Sequence, residues 1–241
     1  MPRLAYDLHI HSCLSPCGND DMTPADIVGM AALKGLDVIA LTDHGSAKNC
    51  PALFKCAQEY GITAIAGLEV STAEEIHVVC LMPSLDRALN FGEVIYSKLP
   101  PIIDRKGIFG QQLVLDADEK LVERVPHLLS NATSIGFDEL YDLVGDYGGL
   151  FIPAHIDRPS YSILSQLGYI PPDSRFACAE LRDIGKLSKL CEGNPYLNNC
   201  NIITSSDAHQ LCDINEATNF IEAKSRSVAD VLDALRQLQV T

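Results

Sequence analysis

Two histidines two residues apart, His9 and His11 in the run Asp7-Leu8-His9-Ile10-His11-Ser12, sit where an alternating stretch gives way to a cluster of Pro16, Cys17, Gly18 and Asn19. In a strand, residues i and i+2 project from one face, so both rings point the same way at the strand's exit into a loop. Such a pair could hold a divalent ion, although alone it is a common accident. It gains meaning from the rest of the chain. His44 closes Leu41-Thr42-Asp43-His44, Glu69 closes Gly67-Leu68-Glu69, His77 opens His77-Val78-Val79-Cys80-Leu81, and His155 closes Leu150-Phe151-Ile152-Pro153-Ala154-His155. Asp207 and His209 end the stretch from Asn201. These positions use six of the seven histidines, more donors than one ion needs. Imidazole nitrogen and carboxylate oxygen suit zinc, manganese or iron, and a bridging carboxylate lets neighbouring ions share its charge. The expectation is a cluster of two or three divalent metal ions.

The elements that must position these groups alternate. After the first strand, Thr23-Pro24-Ala25-Asp26 offers a helix cap, a first-turn proline and an acid, which predicts a helix running to Gly35. Asp37 to Leu41 is a short β-branched run, a second helix spans about Cys50 to Tyr60 before Gly61, and Ile62 to Ala66 is a third strand leading to Glu69. His77 to Leu81 is a fourth strand with its histidine at the start, an exception to the pattern of ligands at strand ends. A helix from Ser84 to about Tyr96 comes next. Residues 110–125 then read as a β-hairpin around Asp116-Ala117-Asp118-Glu119, within an insertion at about 99–131 that could cover a site. A helix at 137–144, strands at 150–155, 176–181, 201–209 and 217–223, and a helix from Val228 to Leu238 capped by Ser227 complete the chain. The fold class is α/β, with functional groups at the strand C-terminal ends of one domain over 1–241.

With 18 Lys and Arg against 32 Asp and Glu, the net charge of -14 argues against extended nucleic acid as a partner, although a phosphate meeting bound cations feels their field first. Nine cysteines without framework spacing read as reduced thiols and a cytoplasmic location. No apolar run long enough to span a bilayer is present.

Five ordered motifs, Asp7-Leu8-His9-Ile10-His11-Ser12, Leu41-Thr42-Asp43-His44, Gly67-Leu68-Glu69-Val70-Ser71, Pro153-Ala154-His155 and Ser206-Asp207-Ala208-His209, resemble the PHP (polymerase and histidinol phosphatase) family. The resemblance implies a distorted (β/α)7, TIM-like barrel that hydrolyses phosphate esters by a metal-bound hydroxide. It also implies that His9, His11, Glu69 and Asp207 hold one ion, Glu69, His77 and His155 a second, and His44 and His209 a third. Many members carry an Asp or His soon after the first motif. Here the segment is Ser15-Pro16-Cys17-Gly18-Asn19-Asp20-Asp21, and Asp20 is the choice, with Asp21 and Cys17 behind it. A thiolate there would favour a softer ion.

Arg158, three residues after His155, is the candidate to grip phosphate oxygens, with Arg182 second. Asp43 either orients His44 or caps the next segment, Glu180 reads as a solvated acid ahead of a site carboxylate, and His127 reads as an ordinary hairpin histidine. The substrate expectation is a small phosphomonoester or nucleotide. A phosphodiesterase or exonuclease, an amidohydrolase acting on C–N bonds, and a metal-binding module without turnover are the alternatives.

Overall fold

The structure is a computed structural model that describes residues 1–103 and 107–237. Its strands are β1 (Arg3–Ile10), β2 (Val38–Leu41), β3 (Thr63–Ser71), β4 (His77–Leu81), β5 (Leu113–Leu115), β6 (Leu121–Arg124), β7 (Leu150–Pro153), β8 (Cys178–Glu180), β9 (Asn201–Ile203) and β10 (Phe220–Glu222). The helices are α1 (Pro24–Leu33), α2 (Cys50–Tyr60), α3 (Leu85–Ser97), α4 (Phe137–Asp146), α5 (Ile163–Leu167), α6 (Leu187–Gly193) and α7 (Val228–Arg236). Local chemistry sets several ends: the hydroxyls of Thr23, Ser84 and Ser227 accept the N–H of the third residue of α1, α3 and α7, and Gly61 stops α2 in the left-handed region. The short helices α5 and α6 were not legible in the sequence. Leu238, the expected end of the last helix, and residues 104–106 of the expected insertion lie outside the described residues.

Six strands pair in the order β10-β1-β2-β3-β4-β7, and β8 pairs with β9 in parallel. β1, β2 and β3 run parallel, whereas β4 is antiparallel to both its neighbours and β10 is antiparallel to β1. The sheet is therefore of mixed direction, where the sequence reading implied uniformly parallel strands. The cause is the connection between β3 and β4: residues 72–76 are too few for a parallel crossover, which needs about a dozen. The reversal also explains the exceptional histidine, because an antiparallel strand begins at the edge where its parallel neighbours end. His77 lies opposite Ser71, two residues beyond Glu69.

The sheet curls until its far end returns to the first strand. Ile156 N–H donates to Glu180 O, which links the end of β7 to β8, and His11 N–H donates to Ala208 O across 3.0 Å, which links the segment after β9 to the end of β1. One face packs Ile39, Ala64, Ala66, Val78 and Cys80 under residues of α1 to α4, including Ile27, Leu53, Phe91 and Leu140. The other face gathers Leu4, Leu8, Val38, Ile65, Val79 and Ile152 with Val231, Leu232 and Leu235 of α7. Leu8 belongs to this inner cluster and Ile10 to the outer one, although strand alternation would put both on one face. A register shift between Asp7 and Ile10 reverses the alternation and re-aims the residues beyond it.

The β5–β6 hairpin forms as the sequence predicts. It is tied to the start of α2 by Asn49, which donates to Leu113 O and accepts from Leu115 N–H, and by Lys48 paired with Glu123. Gly110 N–H donates to Pro16 O, so the insertion also braces the loop that comes after β1. All nine cysteines are free, and among the described residues no helix is long and apolar enough to cross a membrane.

Where β3 pairs with β4, a methyl group on Gly67 would lie 2.8 Å from Cys80 O and 3.0 Å from Leu81 Cδ2. Gly67→Ala is expected to destabilise the protein by about 1–3 kcal/mol, the usual range for overpacking. Urea denaturation measures this, and an unchanged midpoint would mean that the two strands part there without cost.

Candidate metal centre

The curl brings the candidate ligands at the strand ends to one place. Glu69, buried on β3, has His77 Nδ1 at 2.9 Å and His155 Nε2 at 3.2 Å from its Oε1. Its Oε2 lies 3.1 Å from His44 Nδ1 and 3.3 Å from His11 Nε2, and His9 Nε2 is 3.5 Å from Oε1. Asp207 Oδ1 stands 3.5 Å from His9 Nε2 and 3.3 Å from His11 Nε2. Two of these side chains depend on unusual backbone. His155 and Asp207 both have positive φ, 33° and 53°, in the sparsely populated left-handed region where strain concentrates at functional positions.

Hydrogen bonds around this cluster fix which ring nitrogen His9 and His11 each turn toward it. Ser12 N–H and the hydroxyls of Ser12 and Ser15 all donate to the buried Asp43 carboxylate. Ser15 has then spent its one proton, so its oxygen accepts from His44 N–H and from His11 Nδ1–H at 2.9 Å. With Nδ1 so engaged, His11 presents Nε2 to the cluster. In the same way His9 Nδ1–H donates to Glu180, whose two oxygens are both 3.1 Å away, and His9 Nε2 faces the cluster. His9 Nε2 and His11 Nε2 approach to 3.1 Å with two carboxylates beside them, and His44 Nδ1 is buried without a hydrogen-bond partner despite its 3.1 Å distance to Glu69. Ring nitrogens and carboxylate oxygens that converge so closely repel unless protons or a metal cation sit among them, so these residues fit a divalent metal. Three groups of donors each lie within 4.8 Å: His9, His11, Glu69 and Asp207; His44, Glu69 and His77; and His11, Cys17, His44 and His209.

The titration behaviour points the same way. Burial disfavours charge on His9, yet Glu180, Glu69 and Asp207 outweigh it and hold its pKa well above the usual value; for His11, Asp207 and Glu69 overcome burial and raise it to about 9. Against the effect of burial, His77, His9 and His44 keep Glu69 well below the ordinary carboxylate range, and His9 and His11 do the same for Asp207. Burial, with the pull of Glu69 and the push of other imidazoles behind it, leaves His44 well below its ordinary value, and burial together with His11 brings His209 down to about 4. Protons on His9 and His11 supply the positive charge that ions would replace.

Of the expected site residues, His9, His11, His44, Glu69, His77, His155, Asp207 and His209 converge. Asp20 is exposed, accepts from Gln111 and joins none of the three donor groups; Cys17 stands in its place, with Sγ 3.1 Å from His209 Nε2. Asp43 reaches the cluster through Ser12, Ser15 and the backbone, so it orients His11 and fixes the loop. Arg158 reaches the site, its Nη1 donating to Asp207 Oδ2 across 3.0 Å. Arg182 is exposed, and its backbone N–H donates to Asp157. His127 stacks on Tyr96 away from the cluster. Glu180 is the residue whose reading changes most: it is 1% exposed, holds His9 Nδ1 and also accepts His155 N–H at 3.1 Å. Strand alternation places Glu180 on the same face as Cys178, which packs in the inner cluster, and that was the available signal.

The profile of the PHP domain family matches residues 7–167, and one described as PHP-associated matches residues 197–240. Among curated proteins, an uncharacterised protein of Methanocaldococcus jannaschii is 28% identical over 165 residues, covering 68% of this chain and 18% of the relative. A 5′-3′ exoribonuclease of Haemophilus influenzae is 27% identical over 139 residues, covering 56% of this chain and 46% of the relative. The chain thus spans less than half the length of these two curated relatives. Among solved structures, a lesion-specific endonuclease from Pyrococcus furiosus has a TM-score of 0.69 at 18% identity, with 99% of this chain and 57% of that one covered. A putative metal-dependent phosphoesterase from Bifidobacterium adolescentis has a TM-score of 0.55 at 17% identity, with 99% and 98% covered. At such identities the two structures show a shared fold.

The hydrogen bonds and charges predict two outcomes. Because His9 and His11 bind protons at neutral pH in the metal-free protein, loading divalent ions should release protons, and affinity should fall as pH drops. Calorimetry in buffers of different ionisation enthalpy reads the release; none at pH 7 would mean that both rings are already neutral. Glu180→Gln removes the anion behind His9 and is expected to weaken metal binding by about 10–100-fold while leaving the fold intact. Unaltered affinity in a competition titration would show that Glu180 is only a packing residue.

Proposed function

Because the chain belongs to the PHP domain family, we propose that it is a phosphoesterase working with two or three divalent ions, manganese, zinc or iron, and that its curled sheet is that family's distorted (β/α)7 barrel. The observation that carries the reading is Glu69, a single buried carboxylate in reach of five imidazoles, placed to be shared between ions. His9, His11 and Asp207 would complete one position, His77 and His155 a second, and His44 and His209 a third. Such ions supply a nucleophile at neutral pH and neutralise the charge of the phosphate under attack.

The protein's own groups do the rest. Glu180 and Ser15 hold the His9 and His11 rings in the tautomers that aim Nε2 at the centre. Arg158 is partly exposed and spends one N–H on Asp207, which leaves guanidinium donors for a non-bridging phosphate oxygen at the open side of the cluster. Arg182 is a weaker candidate for the same task, since it is exposed and among the described residues its one hydrogen bond runs from its backbone to Asp157.

A small phosphomonoester or nucleotide is the favoured substrate, since the acidic chain offers few cations to track a long polyanion. The second reading is a phosphodiester at a nucleic-acid end. The exoribonuclease relative and the endonuclease neighbour support it, and such a substrate would be drawn by the ions themselves.

Phosphate release by the manganese-supplemented protein from phosphomonoesters, nucleoside bisphosphates, phosphodiesters and short oligonucleotides, with nucleotide release measured for the last two, decides between them. His9→Ala should abolish turnover and remove bound metal. Arg158→Ala should lower kcat/KM by roughly 10- to 100-fold, the worth of a charge-assisted hydrogen bond of about 1.5–3 kcal/mol. Full metal loading with no turnover on any substrate would instead favour a binding module.

A further inference from the structure

Cys17 is set apart from the thiols of the core. Cys50, Cys80 and Cys178 are buried in apolar packing, whereas Cys17 is an exposed residue of a largely buried loop, with its Sγ 3.1 Å from His209 Nε2. His209 Nδ1–H donates to Asp207 O at 2.7 Å, so the nitrogen that faces the thiol carries a lone pair. His44 belongs to the same group of donors and keeps a buried Nδ1 with no hydrogen-bond partner.

The backbone that presents Cys17 is held from three sides. Gly18 N–H donates to Ser15 O, Asn19 N–H donates to His209 O, and Gly110 N–H from the insertion donates to Pro16 O. A methyl group on Gly18 would lie 2.2 Å from Ser12 O, so the turn is closed as tightly as glycine allows. The loop is thereby fixed to the segment that carries His209.

His11 has only Nε2 to offer, and that atom lies within 3.5 Å of His9, Glu69 and Asp207. A nitrogen lone pair serves one ion, which assigns His11 to the His9 position and leaves His44, His209 and Cys17 as the outer set.

We infer that Cys17 is a thiolate ligand of the outer metal position, together with His44 and His209, so that this position takes a thiophilic ion such as zinc or ferrous iron in preference to manganese. The inference rests on the metal-centre reading above. On binding, the Cys17 S–H bond breaks, its proton passes to solvent and the sulfur electron pair forms the bond to the ion. Sulfur with imidazole is a soft donor set, whereas the inner positions, built on Glu69 and Asp207 oxygen with imidazole, are harder. The centre would then be graded, with its most sulfur-loving position at the solvent side.

Cobalt(II) titration of the whole, metal-stripped protein tests this, because a thiolate ligand gives a near-ultraviolet charge-transfer band that nitrogen and oxygen donors do not. The expected result is a band in the native chain, lost in Cys17→Ser together with one bound equivalent while the remaining cobalt still binds. Cys17→Asp should lose the band, keep the equivalent, and shift the outer position from zinc toward manganese in competition. Circular dichroism establishes that the variants are folded; if Cys17→Ser does not fold, the decision passes to Cys17→Asp. Cobalt bound without a band, or a band that persists in either folded variant, overturns the inference and leaves the metal centre standing. No cobalt bound at all overturns both.

Discussion

A carboxylate removed from water and surrounded by imidazole is the constraint on which the rest of this structure depends. Glu69 is 1% exposed, and its two oxygens have five histidine nitrogens within 2.9 to 3.5 Å. An isolated buried anion would be costly, and it persists here because positive charge is always at hand, as protons on His9 and His11 or as ions. The remaining ligands are arranged around that balance. Asp207 adds a second anion, Arg158 partly neutralises it, and Glu180 supports the outer side of His9.

Positioning is achieved by departures from regular structure more than by regular strands. The register shift in β1 turns the His9 segment, positive φ turns His155 and Asp207, and the reversed β4 brings His77 to the edge where its parallel neighbours end. Each device places a side chain where alternation alone would not. The strain at His155 and Asp207 is of order 1–3 kcal/mol apiece, which the surrounding core must over-determine.

Much of this was legible in the sequence. The apolar runs and capping residues marked most strands and the longer helices, and eight metal donors stood out because histidines and acids recur at strand ends. Three features were missed or misread for separate reasons. Strand direction at β4 depended on a five-residue connection, which was visible but outweighed by the α/β rhythm. Glu180 resembled any acid after an apolar run, since its value comes from His9, 171 residues earlier. Cys17 was ranked behind Asp20 because proximity to the cluster is decided by Gly18 against Ser12 O and by bonds to His209 and Gly110, none of which a linear spacing encodes.

The loop after β1 is stitched to distant parts of the chain. Cys13 and Asn49 meet Leu113, Asp20 meets Gln111, Pro16 meets Gly110, and Asn19 meets His209. Closing such long loops costs chain entropy before any contact repays it. During folding, the early β1–β2–β3 ladders can therefore form while this corner is still open. The outer edge of the cluster becomes whole only when the hairpin and the segment after β9 have both docked, so folding order itself delays the moment at which the donor set is complete.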